Sequence, residues 1–212
     1  MVCCGGSNIP VFSEDKDRYI CDKVSELPRL HIYAGLDFGG NKSQHAVTVT
    51  AIDTLKREIY ILHSESFKAE NVTPEQLYAK VREILEKVEN DFKVRIQAIY
   101  ADSAEQTLIN GLRTRLFLPV RNYLKHPIND RIRVTTSLMV SGRFHMVRGC
   151  CDMLVSAFES AVWDDKKLED VRLDNGTYNV DILDSFEYSF ERYLKLLTGA
   201  ARLKEKEGLC LV

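Results

Sequence analysis

Four carboxylates carry the strongest chemical signal in these 212 residues. Asp37 closes the run Leu30-His31-Ile32-Tyr33-Ala34-Gly35-Leu36, just before Phe38-Gly39-Gly40. Asp102 closes Arg95-Ile96-Gln97-Ala98-Ile99-Tyr100-Ala101, just before Ser103. Asp181 and Asp184 stand three apart in a late amphipathic segment, a spacing that puts both on neighbouring turns of one helix face. If the strands ending at 37 and 102 lie side by side and parallel, both carboxylates enter one crevice at the carboxyl ends of the sheet. Carboxylates gathered in this way repel one another unless cations lie between them. Hard divalent ions with oxygen ligands, Mg²⁺ or Mn²⁺, suit such a set. Two ions about 4 Å apart activate a water and stabilise the leaving oxygen of a phosphodiester. The chemistry to which Asp37, Asp102 and Asp184 point is therefore nucleic-acid cleavage.

Each acid also has a simpler role. An Asp at a strand end commonly caps a turn or helix. Asp181 in a first helical turn is favoured by the helix dipole. Asp184, flanked by Leu183 and Phe186, lies at the border of a buried face, and Glu187 reads as solvated surface. The joint signal depends on the order of the strands that carry these residues.

Residues 30–37, 44–52 and 58–64 are strand segments, the second of them β-branched and alternating. Their short connections predict an antiparallel meander. Thr73-Pro74-Glu75-Gln76 opens a helix with a capping-box pattern, and Leu77, Val81, Ile84, Leu85 and Val88 follow at spacings of three and four to about residue 90. A fourth strand over 95–102 can then return parallel to the first. Further expected elements are a helix over 104–115, a short strand near 117–120, a helix over 129–140 weakened by Val134-Thr135-Thr136, a short edge strand over 143–147, a helix over 152–161 and a final helix over 179–197. Three antiparallel strands leading through a helix to a parallel strand is the order of the ribonuclease H-like α/β fold: a mixed sheet of five or more strands flanked by helices.

Composition excludes several classes. Hydrophobic residues make up 45% and charged residues 28%, with a net charge of −2, so the chain is globular and is no dedicated polycation. No apolar run reaches the roughly 20 residues of a membrane-spanning helix, and the N-terminus lacks a signal-peptide layout. Six cysteines lie at 3, 4, 21, 150, 151 and 210 with no Cys-x-x-Cys, which favours reduced thiols over zinc or disulfides. Residues 1–30 read as an irregular N-terminal extension from which Ile9, Val11 or Phe12 can dock on the body, 31–198 as the domain and 199–212 as a tail. The lone Trp163 reads as core.

The segments Tyr33-Ala34-Gly35-Leu36-Asp37-Phe38-Gly39, Ile99-Tyr100-Ala101-Asp102-Ser103-Ala104-Glu105 and Asp181-Ile182-Leu183-Asp184-Ser185-Phe186-Glu187-Tyr188-Ser189 resemble the C-terminal nuclease domain of the large terminase subunit of tailed bacteriophages. The resemblance runs from about Ile9 to Leu194. It implies a ribonuclease H-like, metal-dependent endonuclease in the host cytoplasm that cuts concatemeric viral DNA. Asp37, Asp102 and Asp184 would match its first-strand, fourth-strand and last-helix aspartates, and Asp181, which replaces a His found in some members, is expected to serve as a further metal ligand or to support one. The partners implied are double-stranded DNA, the terminase ATPase motor, the small terminase subunit and the portal. The chain has no Gly-x-x-x-x-Gly-Lys-Ser/Thr loop, so the motor is expected to precede this domain or to be a separate chain, with residues 1–30 as the linker.

From Arg113 to Arg148 eight Arg and Lys face one acid, Asp130, a local +7 that leaves −9 on the remainder. That asymmetry suits a phosphate-tracking face beside an acidic pocket, with Lys125, Arg131 and Arg143 as expected backbone contacts. No base-reading helix or aromatic platform is evident, so cutting is expected to be largely sequence-independent. His126 and His145 read as surface or packing residues. Two other readings stand beside this one. A Holliday-junction resolvase uses a similar carboxylate set, and an actin-like nucleotide-binding fold has a loop similar to Asp37-Phe38-Gly39-Gly40-Asn41-Lys42, although its second half is missing here. A non-enzymatic docking module with a degenerate site is a third.

Overall fold

The computed structural model describes residue 12 and residues 15–24, 27–40, 43–117, 119–162, 172 and 179–199. In chain order the elements are β1 (Ile20–Cys21), β2 (His31–Asp37), β3 (Gln44–Asp53), β4 (Glu58–Lys68), α1 (Pro74–Phe92), β5 (Ala98–Ala101), α2 (Gln106–Leu116), β6 (Val120–Asn122), α3 (Ile128–Val140), β7 (Phe144–Val147), α4 (Asp152–Ser160), α5 (Val180–Phe190) and α6 (Leu194–Leu197). The strands form one sheet in the order β1-β7-β4-β3-β2-β5-β6. β2, β3 and β4 are the antiparallel meander expected from their alternation, and β5 lies beside β2 and parallel to it. The crossover through α1 makes this possible, because a parallel neighbour needs a connection long enough to return to the same end of the sheet.

Helix α1 begins where its sequence says. The Thr73 hydroxyl accepts from the Gln76 amide, and the Gln76 side chain accepts from the Thr73 amide at 2.8 Å. Its buried stripe, Leu77, Val81, Ile84, Leu85 and Val88, packs on Leu36, Val47, Val49, Leu62 and Ile99 on one face of the sheet, with α2 beside it. On the other face α3, α4 and α5 cover Ile52, Ile59, Ile61, Phe144 and Met146. Two apolar layers thus sandwich the sheet. Helix α3 forms despite its β-branched centre, because Ile132, Val134, Leu138 and Met139 are buried and the Thr135 hydroxyl bonds back to the Arg131 carbonyl at 3.0 Å.

Several elements depart from expectation. The segment over 143–147 is not an edge: β7 lies between β4 and the two-residue strand β1, which is too short to show any periodicity in sequence. The fourth strand starts at Ala98 rather than Arg95, and the strand expected near 117–120 lies at Val120–Asn122. The last helix is not continuous: α5 ends at Phe190, a 3-10 turn spans Glu191–Tyr193, and α6 follows. Phe12, in the segment read as an extension, is fully buried against Phe158, and Tyr19 packs edge-on to Phe144. Ile9, Val11 and Trp163 lie outside the described residues.

Candidate active site

Strand alternation brings the acids together. Gly35 pairs with Tyr100 and Leu36 with Ala101, so Asp37 and Asp102 leave adjacent parallel strands side by side. Side chains two residues apart share a face. Tyr33, Gly35 and Asp37 on β2, and Ala98, Tyr100 and then Asp102 on β5, therefore all project toward α5. That helix lies almost on the backbone of β2. A Cβ placed on Gly35 would stand 1.8 Å from the Ser185 carbonyl oxygen and 2.8 Å from the Ser189 amide nitrogen. Buried hydroxyls fix its register on β3, with Thr48 Oγ1 and Ser185 Oγ at 2.8 Å and Thr50 Oγ1 and Ser189 Oγ at 2.6 Å. The first turns of α5, with Asp181 and Asp184, are thereby set above the end of β2.

The four aspartates differ in their surroundings. Burial holds the Asp37 carboxyl well above the usual carboxylate range, the charges of Asp184, Asp181 and Asp102 push it the same way, and a hydrogen bond from the Phe38 amide opposes them. Asp184 is pushed up to about 6 by burial, with Arg172 and Arg131 pulling it down and Glu187 and Asp181 pushing it up. Asp102 also caps the short turn that follows it, accepting from the Ala104 amide at 3.1 Å, and lies 3.9 Å from the Lys125 ammonium. Asp181 Oδ2 accepts from the Gln44 amide at 2.7 Å and so ties α5 to the first residue of β3. The Gly39 amide donates to His45 Nδ1 at 3.1 Å across the same turn, and burial keeps that imidazole toward its neutral form.

The donor set is all carboxylate oxygen, and Asp37 is held among three like charges; both features fit a hard divalent cation. Among the described residues no three His, Cys, Asp or Glu side chains are already set around a single cation position. The carboxylates are gathered rather than preassembled.

Behind Asp184 lies a buried ionic cluster. Glu187, 1% exposed, is bridged by Arg172 and by Arg131 at 2.9 Å, and the same two guanidinium groups approach Asp184 Oδ1 at 3.2 and 3.6 Å. Glu187 is therefore not solvated surface. Arg131 is not a phosphate contact either, because its guanidinium is engaged inside the protein. Arg143 is likewise buried, and its Nη1 donates to the carbonyls of Arg57, Leu197 and Gly199 at 3.1, 3.1 and 3.2 Å. It precedes β7 beside the start of β4, at the end of the sheet opposite the aspartates. Of the three expected backbone contacts only Lys125 is exposed near the acids. His145 stacks on Tyr60, as a packing residue should.

Two residues escaped the sequence reading. Arg172 lies in a segment without periodicity, and nothing in its spacing connects it to Asp184. Glu191 is 1% exposed, and its two oxygens accept from the Leu124 and His126 amides at 2.7 and 2.6 Å.

Meander, crossover, parallel return and a carboxylate crevice roofed by a helix define an α/β protein of the ribonuclease H-like fold. More particularly, the chain has the fold of the nuclease domains of phage large terminases. It superposes on the P22 large terminase nuclease domain with a TM-score of 0.66 at 15% identity, covering 89% of this chain and 97% of that one. The SPP1 large terminase nuclease domain, solved with bound Mn, gives 0.56 at 19% identity over 82% and 96%. The large terminase of a thermophilic bacteriophage gives 0.69 at 18% identity over 87% of this chain. The chain spans 43% of that last protein's length, so less than half of it. No protein-family model and no curated protein sequence matches the chain.

Proposed function

We propose that the chain is a metal-dependent endonuclease acting on double-stranded DNA, the nuclease part of a phage large terminase subunit that cuts concatemeric viral DNA in the host cytoplasm with little regard to sequence. The observation that carries this reading is the convergence of Asp37, Asp102 and Asp184 at one end of adjacent parallel strands, under α5. The fold it shares with the P22 and SPP1 nuclease domains supports it. The ATPase motor, preceding this domain or as a separate chain, the small subunit and the portal are the partners that go with this reading. No helix among the described residues is long and apolar enough to cross a membrane.

Asp37, Asp102 and Asp184 would hold Mg²⁺ or Mn²⁺, one ion or two, which when bound supplies an activated water and charge stabilisation for phosphodiester hydrolysis. The protein supplies placement. Asp37 is central, since the charges of Asp184, Asp181 and Asp102 all act on it. Arg131 and Arg172 restrain the Asp184 carboxylate from behind while Glu187 offsets their charge. Asp181 keeps one oxygen on the Gln44 amide and adds negative charge to the crevice. Lys125, 3.9 Å from Asp102, would contact a phosphate of the cut strand.

Plasmid digestion tests the reading. With Mn²⁺ or Mg²⁺ the chain should nick and linearise supercoiled DNA, and a chelator should stop it. Asp37→Asn and Asp102→Asn should lower the rate by on the order of a hundredfold or more, since several kcal/mol of transition-state stabilisation go with the ligand. Cleavage that survives chelator or either substitution would refute it.

A further inference from the structure

The basic face sought in the sequence lies elsewhere than on α3 and β7. Among the described residues β6 is the last strand of the sheet, paired only with β5. Val120 is buried on the α1 and α2 side, so Arg121 projects to the opposite side, that of α5 and the aspartates, opposite Tyr100. Arg121 is exposed. From the turn after α5, exposed Arg192 lies over the Tyr100 ring at 4.8 Å and donates to the Asn122 carbonyl at 3.2 Å. The two guanidinium groups therefore flank Tyr100, which stands two residues, about 7 Å of strand, before Asp102. Lys125 then follows, 3.9 Å from Asp102 and over the Tyr123 ring at 5.8 Å.

We infer that Arg121, Arg192 and Lys125 form a phosphate track along β6, which receives the backbone of duplex DNA and leads it to the carboxylates. This rests on the endonuclease reading above and identifies the surface that serves it. Glu191, next to Arg192 in sequence, does not cancel that charge, because it is buried and bonded to two amides. It is a positioning residue. Lys125 adopts a left-handed backbone, φ 59°, uncommon for a residue with a side chain, and Glu191 bonds the amides on either side of it. That clamp turns the ammonium toward Asp102. Tyr100 and Tyr123 give the long cationic side chains flat apolar surfaces that restrict them without neutralising them.

Equilibrium binding of a duplex oligonucleotide by the 212-residue chain, over a range of KCl concentrations with Ca²⁺ present, tests the track, with KM for plasmid cleavage measured alongside. Arg121→Ala, Arg192→Ala and Lys125→Ala should each weaken binding about fivefold to tenfold near 0.1 M salt and flatten the salt slope by about 0.9. Arg121→Lys and Arg192→Lys should retain the slope, which separates lost charge from lost packing. Arg95→Ala, at the other end of β5 and highly exposed, should change nothing. Glu191→Gln should raise KM as Lys125→Ala does, and the double variant should be no worse than Lys125→Ala alone. Unchanged slopes in the Arg121 and Arg192 variants of a chain that still cuts would overturn the track and leave the endonuclease reading standing. A wild-type chain that neither binds nor cuts duplex DNA would overturn both.

Discussion

Asp37 concentrates the electrostatics of the site in one side chain. An acid whose folded pKa lies above its unfolded value binds its proton more readily in the folded state. Its ionised form therefore opposes folding above the folded pKa, and stability returns as pH falls through that value. Asp37→Asn should accordingly raise the melting temperature of the chelated protein at pH 7 to 8, and the gain should shrink on acidification toward pH 4. Thermal melts over that range check it; a lower melting temperature for Asp37→Asn at pH 8 would contradict the crowded, partly desolvated site. Glu187 shows the opposite arrangement. It is an acid held in the interior by two guanidinium groups, and the same two groups hold Asp184 in place.

Among the elements, the contact of β2 with α5 governs the site. Gly35 is required not for its backbone angles but because the helix backbone occupies the space of a Cβ. Gly35→Ala must lift α5 or bend β2. It should cost on the order of 3 kcal/mol, at the upper end of overpacking, and it should separate Asp184 from Asp37. Chemical denaturation measures the first effect, and loss of cleavage in whatever fraction remains folded measures the second. Wild-type stability together with wild-type cleavage would show that the two elements are less tightly apposed. The Thr48–Ser185 and Thr50–Ser189 bonds supply the register for this contact, since a bare glycine step could slide.

At the scale of the molecule, the sheet divides two apolar layers, and the aspartates lie at one end of it rather than in either layer. The N-terminal segment contributes to the layer beneath α4: Phe12 and Tyr19 are buried there, and Ile20–Cys21 adds the last strand beside β7. Removing residues 1–30 should therefore leave a core deficit of about 3–5 kcal/mol for Phe12 alone. The truncated chain should melt well below the full chain or aggregate. Equal melting temperatures would mean that the segment is a passive extension.

The chain order of the elements from β2 to α5, the N-terminus of α1 and the candidate acids at the ends of β2 and β5 were legible from residue types and spacing. Each rests on local rules: two-residue alternation, a 3.6-residue period, a capping box, an acid at a strand end. What only the tertiary structure decided has a different physical origin. Whether an arginine faces solvent or an internal carboxylate depends on partners far away in sequence, so Arg131 and Arg143 looked like Lys125 and Arg121 until Glu187 and the carbonyls of Arg57 and Leu197 came beside them. β1 was invisible because two residues have no period. Long-range electrostatics and close backbone approach are properties of the assembled sheet, and no window of sequence contains them.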